Sequence, residues 1–188
     1  MAVEQQAANS INVWAPLVGV VLGFALGEGA RWVRTIYDIK KIKKLIHEEL
    51  KMVQKQLPIV FGAIQYCKNW ALNNKPARGE IGLMCTIGYE HYFPKAYISY
   101  TNEERACLTA IYNYIFKIAS ELKDYPEAVE ELLENDDEET IKRERLRYLD
   151  FLKGKVQDVS PLLELFVSGK VKECFELLGT PEKSLQTL

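Results

Sequence analysis

The chain begins with a long apolar segment that predicts a membrane span. From Ile11 to Ala30 it reads INVWAPLVGVVLGFALGEGA, and twenty helical residues at 1.5 Å each cover about 30 Å, the thickness of a bilayer's hydrocarbon core. Trp14 and Trp32 lie near its two ends, where aromatic side chains favour the membrane interface. The ten residues before it contain no Lys or Arg, unlike a signal peptide. The pattern therefore predicts a transmembrane helix at 11–30.

Apolar positions beyond this segment continue with helical spacing. They recur at steps of three and four residues within 39–57, 108–122 and 149–166. Thr101-Asn-Glu-Glu104 reads as a capping box, in which Thr101 caps the second of these helices and Glu104 reaches back. Three long amphipathic helices joined by modest loops indicate an antiparallel bundle. The predicted fold is all-α, a single N-terminal transmembrane helix continuing into an antiparallel cytoplasmic helical bundle.

Prolines, glycines and asparagines predict where the helices bend or end. Pro58 should kink the first helix, and the segment 73–76 (NNKP) should end it. Asp124-Tyr-Pro126 is expected to end the second helix. Residues 77–100 are the least regular part of the chain, and a short strand at 83–87 is one option there. Gly169 should end the last long helix.

The distribution of charge predicts an orientation for the span. Net charge over the 188 residues is only −2, which makes nucleic acid an unexpected partner. Basic residues nevertheless cluster just after the span, and an excess of Lys and Arg favours the cytoplasmic side. We therefore expect a short extracytoplasmic N-terminus (1–10), a span (11–30) and a cytoplasmic domain (31–188). The clustered side chains would also attract anionic lipid headgroups at the membrane surface; they are Arg31, Arg34, Lys40, Lys41, Lys43 and Lys44.

Small residues recur every four positions within the predicted span. Such a stripe lets two helix backbones approach closely in a membrane, which favours pairing with a second copy or with another membrane helix. The alternative is that glycine is simply common in membrane spans. The predicted association residues are Ala15, Gly19, Gly23 and Gly27.

An aromatic-rich segment precedes the capping box. Aromatic rings with polar tips offer a large, rigid contact area and suit recognition of a ligand or partner. The alternative is a connector whose rings fill the gap between helices. The predicted recognition patch comprises Tyr89, His91, Tyr92, Phe93, Tyr97 and Tyr100.

No pattern of catalytic or metal-ligating residues accompanies these features. His47 precedes two glutamates, but Lys51 stands where a zinc protease motif would need its second histidine. The acidic run 127–139 lacks the alternation and central glycine of a calcium loop, and is expected to be a solvated turn. We expect no cofactor and no enzymatic activity. Four cysteines lie far apart without a CxxC pair, and are expected to be buried apolar residues: Cys67, Cys85, Cys107 and Cys174.

Three short motifs carry a family resemblance. They are W-x-P-L-V-G-V-V-L-G-F at Trp14–Phe24, H-E-E-L at 47–50, and T-N-E-E-R followed by I-Y-N-Y-I within 101–115. In this arrangement the chain resembles a group of bacterial single-pass inner-membrane proteins with an uncharacterised helical cytoplasmic domain. The resemblance implies a bacterial inner-membrane location, and it implies no activity and no functional residue.

Two functions are compatible with this predicted layout. The first is a membrane-anchored interaction protein, an adaptor or regulatory subunit that holds a cytoplasmic protein partner at the membrane. The second is a self-assembling membrane effector of a phage-defence or toxin-like system. The glycine stripe fits both. A pore would favour a polar stripe along the span, and the absence of one from the sequence favours the adaptor.

Overall fold

The described part of the chain is helical. The computed structural model describes residues 2–73, 87–135 and 137–179, with side chains for 18–73, 89–133 and 137–179. These residues contain no β-strand, which confirms the all-α prediction. Residues 83–86 of the optional strand lie outside the described residues. In chain order the elements are α1 (Ala2–Leu72), α2 (Ile87–Ala96), a 3₁₀ turn (Tyr97–Ser99), α3 (Asn102–Asn135), α4 (Glu138–Val167) and α5 (Val171–Gly179).

The prediction of a membrane span is not confirmed. Among the residues that the structure describes, no helix is long and apolar enough to cross a bilayer. Within the part of this segment whose side chains are described, from Val18 onward, the helix reaches Glu28, Arg31 and Arg34 within two turns of one another, and each charge is costly in hydrocarbon. Residues 11–17 of the predicted span lie outside those whose side chains are described. The predicted location, a bacterial inner membrane with the N-terminus outside and the C-terminal domain cytoplasmic, is therefore wrong by this finding.

The chain divides into two units, Met1–Ile42 and Lys43–Leu188, and α1 contributes to both. In the first unit, the described part of α1 exposes its large apolar side chains, from Val18 to Tyr37. The second unit is a helical bundle. It holds the rest of α1 together with α2, the 3₁₀ turn, α3, α4 and α5, and it contains the core.

The core of the second unit is built from the predicted apolar faces. In each long helix the buried positions recur at three and four residues, so that one side of the helix is removed from water. This spacing is confirmed for all three helices. The buried apolar residues include Ile46, Leu50, Val53, Leu57, Val60 and Ile64 in α1, Leu108, Ile111, Ile115, Ile118 and Leu122 in α3, and Leu149, Leu152, Val156, Val159, Leu163 and Phe166 in α4.

Contacts between the long helices show their directions. The Tyr148 hydroxyl donates to the carbonyl of Glu121 at 2.7 Å, while the Lys155 ammonium lies 5.5 Å from the ring centroid of Tyr114. At these contacts the residue numbers increase along α4 while they decrease along α3, so the two helices are antiparallel. Only Asp136 and Asp137 separate them, as expected for antiparallel neighbours.

Helix α1 packs antiparallel to α4 as well. Lys68 pairs with Asp150, and the Lys153 ammonium lies 5.7 Å from the ring centroid of Phe61. Since α3 is antiparallel to α4, α1 and α3 run parallel. Helix α2 and the 3₁₀ turn that follows it lie at the end of the bundle where α3 begins.

Helix α3 passes through the proline that was predicted to end it. Pro126 lies inside α3, which continues to Asn135. A proline removes one backbone N–H and costs about 3 kcal/mol in a helix interior. Burial of Leu122 and Tyr125 on one side of the proline holds this turn against the bundle. The Tyr148 hydroxyl supplies an additional donor to a carbonyl in the same turn.

Other helix boundaries agree with the sequence. The capping box is confirmed, since the Thr101 N–H donates to Glu104 Oε2 at 2.7 Å and the Glu104 N–H donates to Thr101 Oγ1 at 3.1 Å. Helix α1 runs on through Pro58 and ends at Leu72, one residue before the predicted breaker. Gly169 follows α4 with φ of 81°, a left-handed conformation that glycine adopts without strain.

Candidate functional site

The predicted recognition patch divides into an inner and an outer side. Because α2 is helical, residues four apart lie on the same face. Tyr89, Phe93 and Tyr100 face the bundle, where Phe93 and Tyr100 are buried, while His91, Tyr92 and Tyr97 are exposed. The two interpretations of this segment, a recognition surface and a connector that fills a gap, therefore apply to different side chains.

The inner side is an aromatic stack that fixes α2 to α3. The Tyr89 ring lies between two others, with centroids 3.9 Å from Tyr112 and 4.6 Å from Phe93, and both pairs are nearly parallel. Tyr112 is fully buried, and its hydroxyl donates to Glu49 Oε1 of α1 at 2.8 Å. Burial, and then the Glu49 carboxylate, raise the pKa of Tyr112. The stack thus joins α1, α2 and α3 through one carboxylate oxygen.

Lys43 fastens the 3₁₀ turn to α1. Its ammonium donates to the carbonyl of Ser99 at 2.7 Å, lies 4.2 Å from the ring centroid of Tyr100, and stands 3.7 Å from Glu104 Oε2. Burial, with a further contribution from Glu104, raises the pKa of Tyr100 to about 12, so this phenol stays neutral at physiological pH. Lys43, predicted to lie at a membrane surface, therefore makes contacts within the second unit.

The outer side presents exposed aromatic and apolar groups next to cations. We define the α2 surface as Tyr92, Lys95, Tyr97, Ile98 and Arg105. Ile98 is 93% exposed, and both tyrosines are exposed. The Arg105 guanidinium lies 4.6 Å from the ring centroid of Tyr97, and the Lys95 ammonium lies 5.7 Å from that of Tyr92. These are cation–π distances, which orient the rings at the surface.

A groove of about 430 Å³ continues the α2 surface along α3. Tyr97 forms one wall, and alanines together with amide and hydroxyl groups line the rest. Small side chains leave room for an incoming side chain, and the amides offer both donors and acceptors. Besides Tyr97, the lining residues are Asn102, Arg105, Ala106, Thr109, Ala110 and Asn113.

Sequence reasoning missed Ile98 and Arg105. A single isoleucine between Tyr97 and Ser99 carries no periodic signal, and its exposure depends on the 3₁₀ turn that reverses the chain. Arg105 was read only as part of the motif around the capping box. In a capping box, the first turn of the helix lies beside the residues that precede it. The capping box at Thr101–Glu104 could therefore have indicated that Arg105 lies next to the aromatic segment.

The remaining predicted site residues whose side chains are described lie on exposed helix surface. Gly19, Gly23 and Gly27 have no other side chain or distant backbone within 4 Å of the position a Cβ would occupy, and Ala15 lies outside the residues whose side chains are described. Their role in helix association stays a prediction. The basic residues other than Lys43 are exposed and also keep their predicted role untested: Arg31, Arg34, Lys40, Lys41 and Lys44.

The cysteines are buried where they are described. Cys67, Cys107 and Cys174 are free thiols inside the bundle, as predicted, while Cys85 lies outside the described residues. Burial, followed by the neighbouring Cys107 thiol, raises the pKa of Cys174 to about 12. Across the part of the chain that the structure describes, no three metal-ligating side chains come together.

Comparison with known proteins does not add a family. No family model matches the chain, and neither curated proteins nor solved structures give a match. The functional argument therefore starts from the surfaces of the molecule.

Proposed function

We propose that the chain is an interaction protein, an adaptor or regulatory subunit, that binds a protein partner through the α2 surface. The observation that carries the proposal is Ile98, a large apolar side chain that is 93% exposed and directly follows the exposed Tyr97 in the chain. Contiguous exposed apolar groups with a polar rim are characteristic of interaction sites. Tyrosine and arginine are also enriched among the residues that dominate binding energy.

Rigidity of the α2 surface supports the same function. Stacking of Tyr89 on Tyr112 and on Phe93 holds α2 against α3. The Lys43 ammonium holds the 3₁₀ turn against α1 through the carbonyl of Ser99. A surface fixed before binding loses less conformational entropy when the partner arrives. The exposed groups are thus presented in one arrangement.

The chemistry of the α2 surface suggests the kind of partner. Lys95 and Arg105 stand beside the tyrosine rings, and their positive charge favours a partner segment that carries carboxylates. Ile98 favours an apolar residue at the centre of that segment. We therefore propose an acidic, partly apolar protein segment that lies across the 3₁₀ turn, with one side chain in the groove along α3.

The test places a photo-crosslinking amino acid at position 98 of the full chain in its native host. A matched control places it at position 133, since Leu133 is also an exposed apolar residue but lies at the far end of α3. A defined partner should crosslink from position 98 and not from position 133. Equal crosslinking to many proteins from both positions would contradict the proposal.

A substitution then measures the contribution of Ile98 to the captured complex. Burying an isoleucine contributes about 1.5–3 kcal/mol, so Ile98→Asp should weaken binding roughly tenfold to a hundredfold. Leu133→Asp should leave the affinity unchanged. Circular dichroism of both variants verifies that the bundle is folded. An Ile98→Asp variant with unaltered affinity would remove Ile98 from the interface.

A further inference from the structure

Helix α1 exposes an apolar row within the second unit. Leu45, Met52, Ile59 and Tyr66 are 42%, 54%, 72% and 56% exposed, and they follow one another at intervals of seven residues. Seven residues are close to two helical turns, so the four side chains line one face. The core positions of α1 use other faces. We call these four residues the α1 row.

We propose that two copies of the chain pair through the α1 row, with their α1 helices antiparallel. In this arrangement Leu45 lies opposite Tyr66 of the second copy, and Met52 lies opposite Ile59 of the second copy. A row with a seven-residue repeat fits a helix that carries an equal repeat, because the two seams then stay in register along their length. The four residues are spaced evenly about the midpoint of the row. A two-fold axis at that point therefore places each of them opposite a residue of the second copy's row.

The distribution of charge within the second unit favours a second copy in this direction. Residues 43–55 contain four lysines and two glutamates, whereas 121–147 contain eleven acidic and five basic residues. These regions lie at opposite ends of the bundle. Lys43 contacts Ser99 and Glu104 at one end, while the start of α4 lies beside the end of α1, where Lys68 pairs with Asp150.

Antiparallel pairing brings unlike ends together. The lysine-rich part of α1 in each copy then lies toward the acidic end of the other, whereas parallel pairing would place the two lysine-rich segments side by side. A two-fold arrangement of this kind is closed and uses the same surface on both copies. Lys55 lies next to the midpoint and is exposed, so its ammonium can extend into solvent along its flexible stem.

The size of the α1 row indicates a reversible dimer. From Leu45 to Tyr66 the helix is about 32 Å long, and a helix is about 10 Å wide, so the contact strip covers roughly 300 Å² in projection. Standard interfaces bury about 800 Å² per partner, and smaller ones are typical of weak complexes. We therefore expect association that depends on concentration over roughly 1–100 μM. Such a dimer would present two copies of the α2 surface, which goes beyond the proposed function and does not depend on it.

The direction of pairing is tested by thiol crosslinking in the full chain. Met52→Cys and Ile59→Cys are made separately in a Cys85→Ser background, and a short bis-maleimide is added to each variant and to their mixture. The antiparallel register predicts that the mixture gives at least fivefold more covalent dimer than either variant alone. A parallel pair would instead give more product with each variant alone than with their mixture, and that result would overturn the proposal. Ile98→Cys supplies the baseline for random collision.

The contribution of the row to association is tested by analytical ultracentrifugation of the full chain. Ile59→Lys should weaken dimerisation at least tenfold, because it places two ammonium groups in the seam. Ile98→Asp should leave it unchanged, since Ile98 belongs to the α2 surface. A chain that stays monomeric up to 100 μM, or a dimer unaffected by Ile59→Lys, would overturn the proposal. Partner crosslinking from position 98 would still stand in either case, so the two proposals fail separately.

Discussion

Replacing Tyr112 by phenylalanine removes one buried hydroxyl from the second unit and leaves the ring in place. The ring keeps its stacking on Tyr89, so the substitution creates almost no cavity. What it removes is the 2.8 Å hydrogen bond to Glu49 Oε1, which joins α3 to α1. The Tyr89 N–H approaches the same oxygen at 3.4 Å. Tyr112→Phe therefore isolates the contribution of one donor to a shared carboxylate.

The magnitude follows from the exposure of the two partners. A hydrogen bond to a charged group contributes about 1.5–3 kcal/mol. Tyr112 is fully buried, but Glu49 is only half-buried and can recover water when the hydroxyl is lost. We therefore expect Tyr112→Phe to lower the free energy of unfolding by about 1–2 kcal/mol. For a chain of this size the melting temperature should fall by roughly 3–6 °C.

Urea unfolding followed by circular dichroism measures this difference. Tyr66→Phe is the matched control, because Tyr66 is exposed on the α1 row, and its free energy of unfolding should change by less than about 0.5 kcal/mol. A double-mutant cycle with Glu49→Gln should show that the two substitutions are coupled. If Tyr112→Phe is as stable as Tyr66→Phe, the hydrogen bond does not hold α3 to α1 and the reasoning is refuted.

Two further predictions concern ionisable groups. Asp137 accepts hydrogen bonds from the N–H groups of Glu139 and Thr140, and the Thr140 backbone and hydroxyl contribute most to lowering its pKa. The free energy of unfolding should therefore decrease as the pH drops below 3.8, the ordinary pKa of an aspartate. Asp137→Asn should reduce this dependence on pH, as measured by urea unfolding at about pH 2–5. An equal slope in both proteins would contradict the prediction. The raised pKa of Cys174, about 12 against 9.0, should slow its alkylation at pH 8 about a thousandfold relative to the unfolded chain. Mass spectrometry of the modified chain measures both rates, and a native rate within tenfold of the unfolded one would contradict the raised pKa of Cys174.

Features that depend on neighbours along the chain could be predicted from the sequence. Apolar spacing of three and four residues identified the core faces of α1, α3 and α4, because a helix brings such positions together without help from the rest of the fold. The Thr101–Glu104 capping box, the end of α1 near Asn73 and the break at Gly169 are equally local. Each is decided by hydrogen bonds or backbone angles within a few residues.

Features that depend on contacts between distant parts of the chain could not be predicted in this way. Pro126 was expected to end α3, but packing of Leu122 and Tyr125 keeps the helix continuous. Lys43 belongs to the basic cluster, whose predicted role at a membrane surface is untested, and the fold places its ammonium against the carbonyl of Ser99, a contact that the sequence did not predict. In both cases the deciding contact comes from a residue that is distant in sequence or from burial that only the assembled bundle creates.

The candidate sites show the same division most clearly. Composition alone identified the segment 89–100 as rich in aromatic residues, but only the folded bundle decided that Tyr89 and Phe93 pack inward while Tyr97 and Ile98 face solvent. The α1 row recurs once every seven residues, whereas the buried row beside it recurs at steps of three and four. Both consist of apolar side chains on one helix, and sequence alone does not show which face the chain covers itself and which it leaves exposed. That distinction depends on where α3 and α4 pack against α1, and it is therefore a property of the tertiary structure.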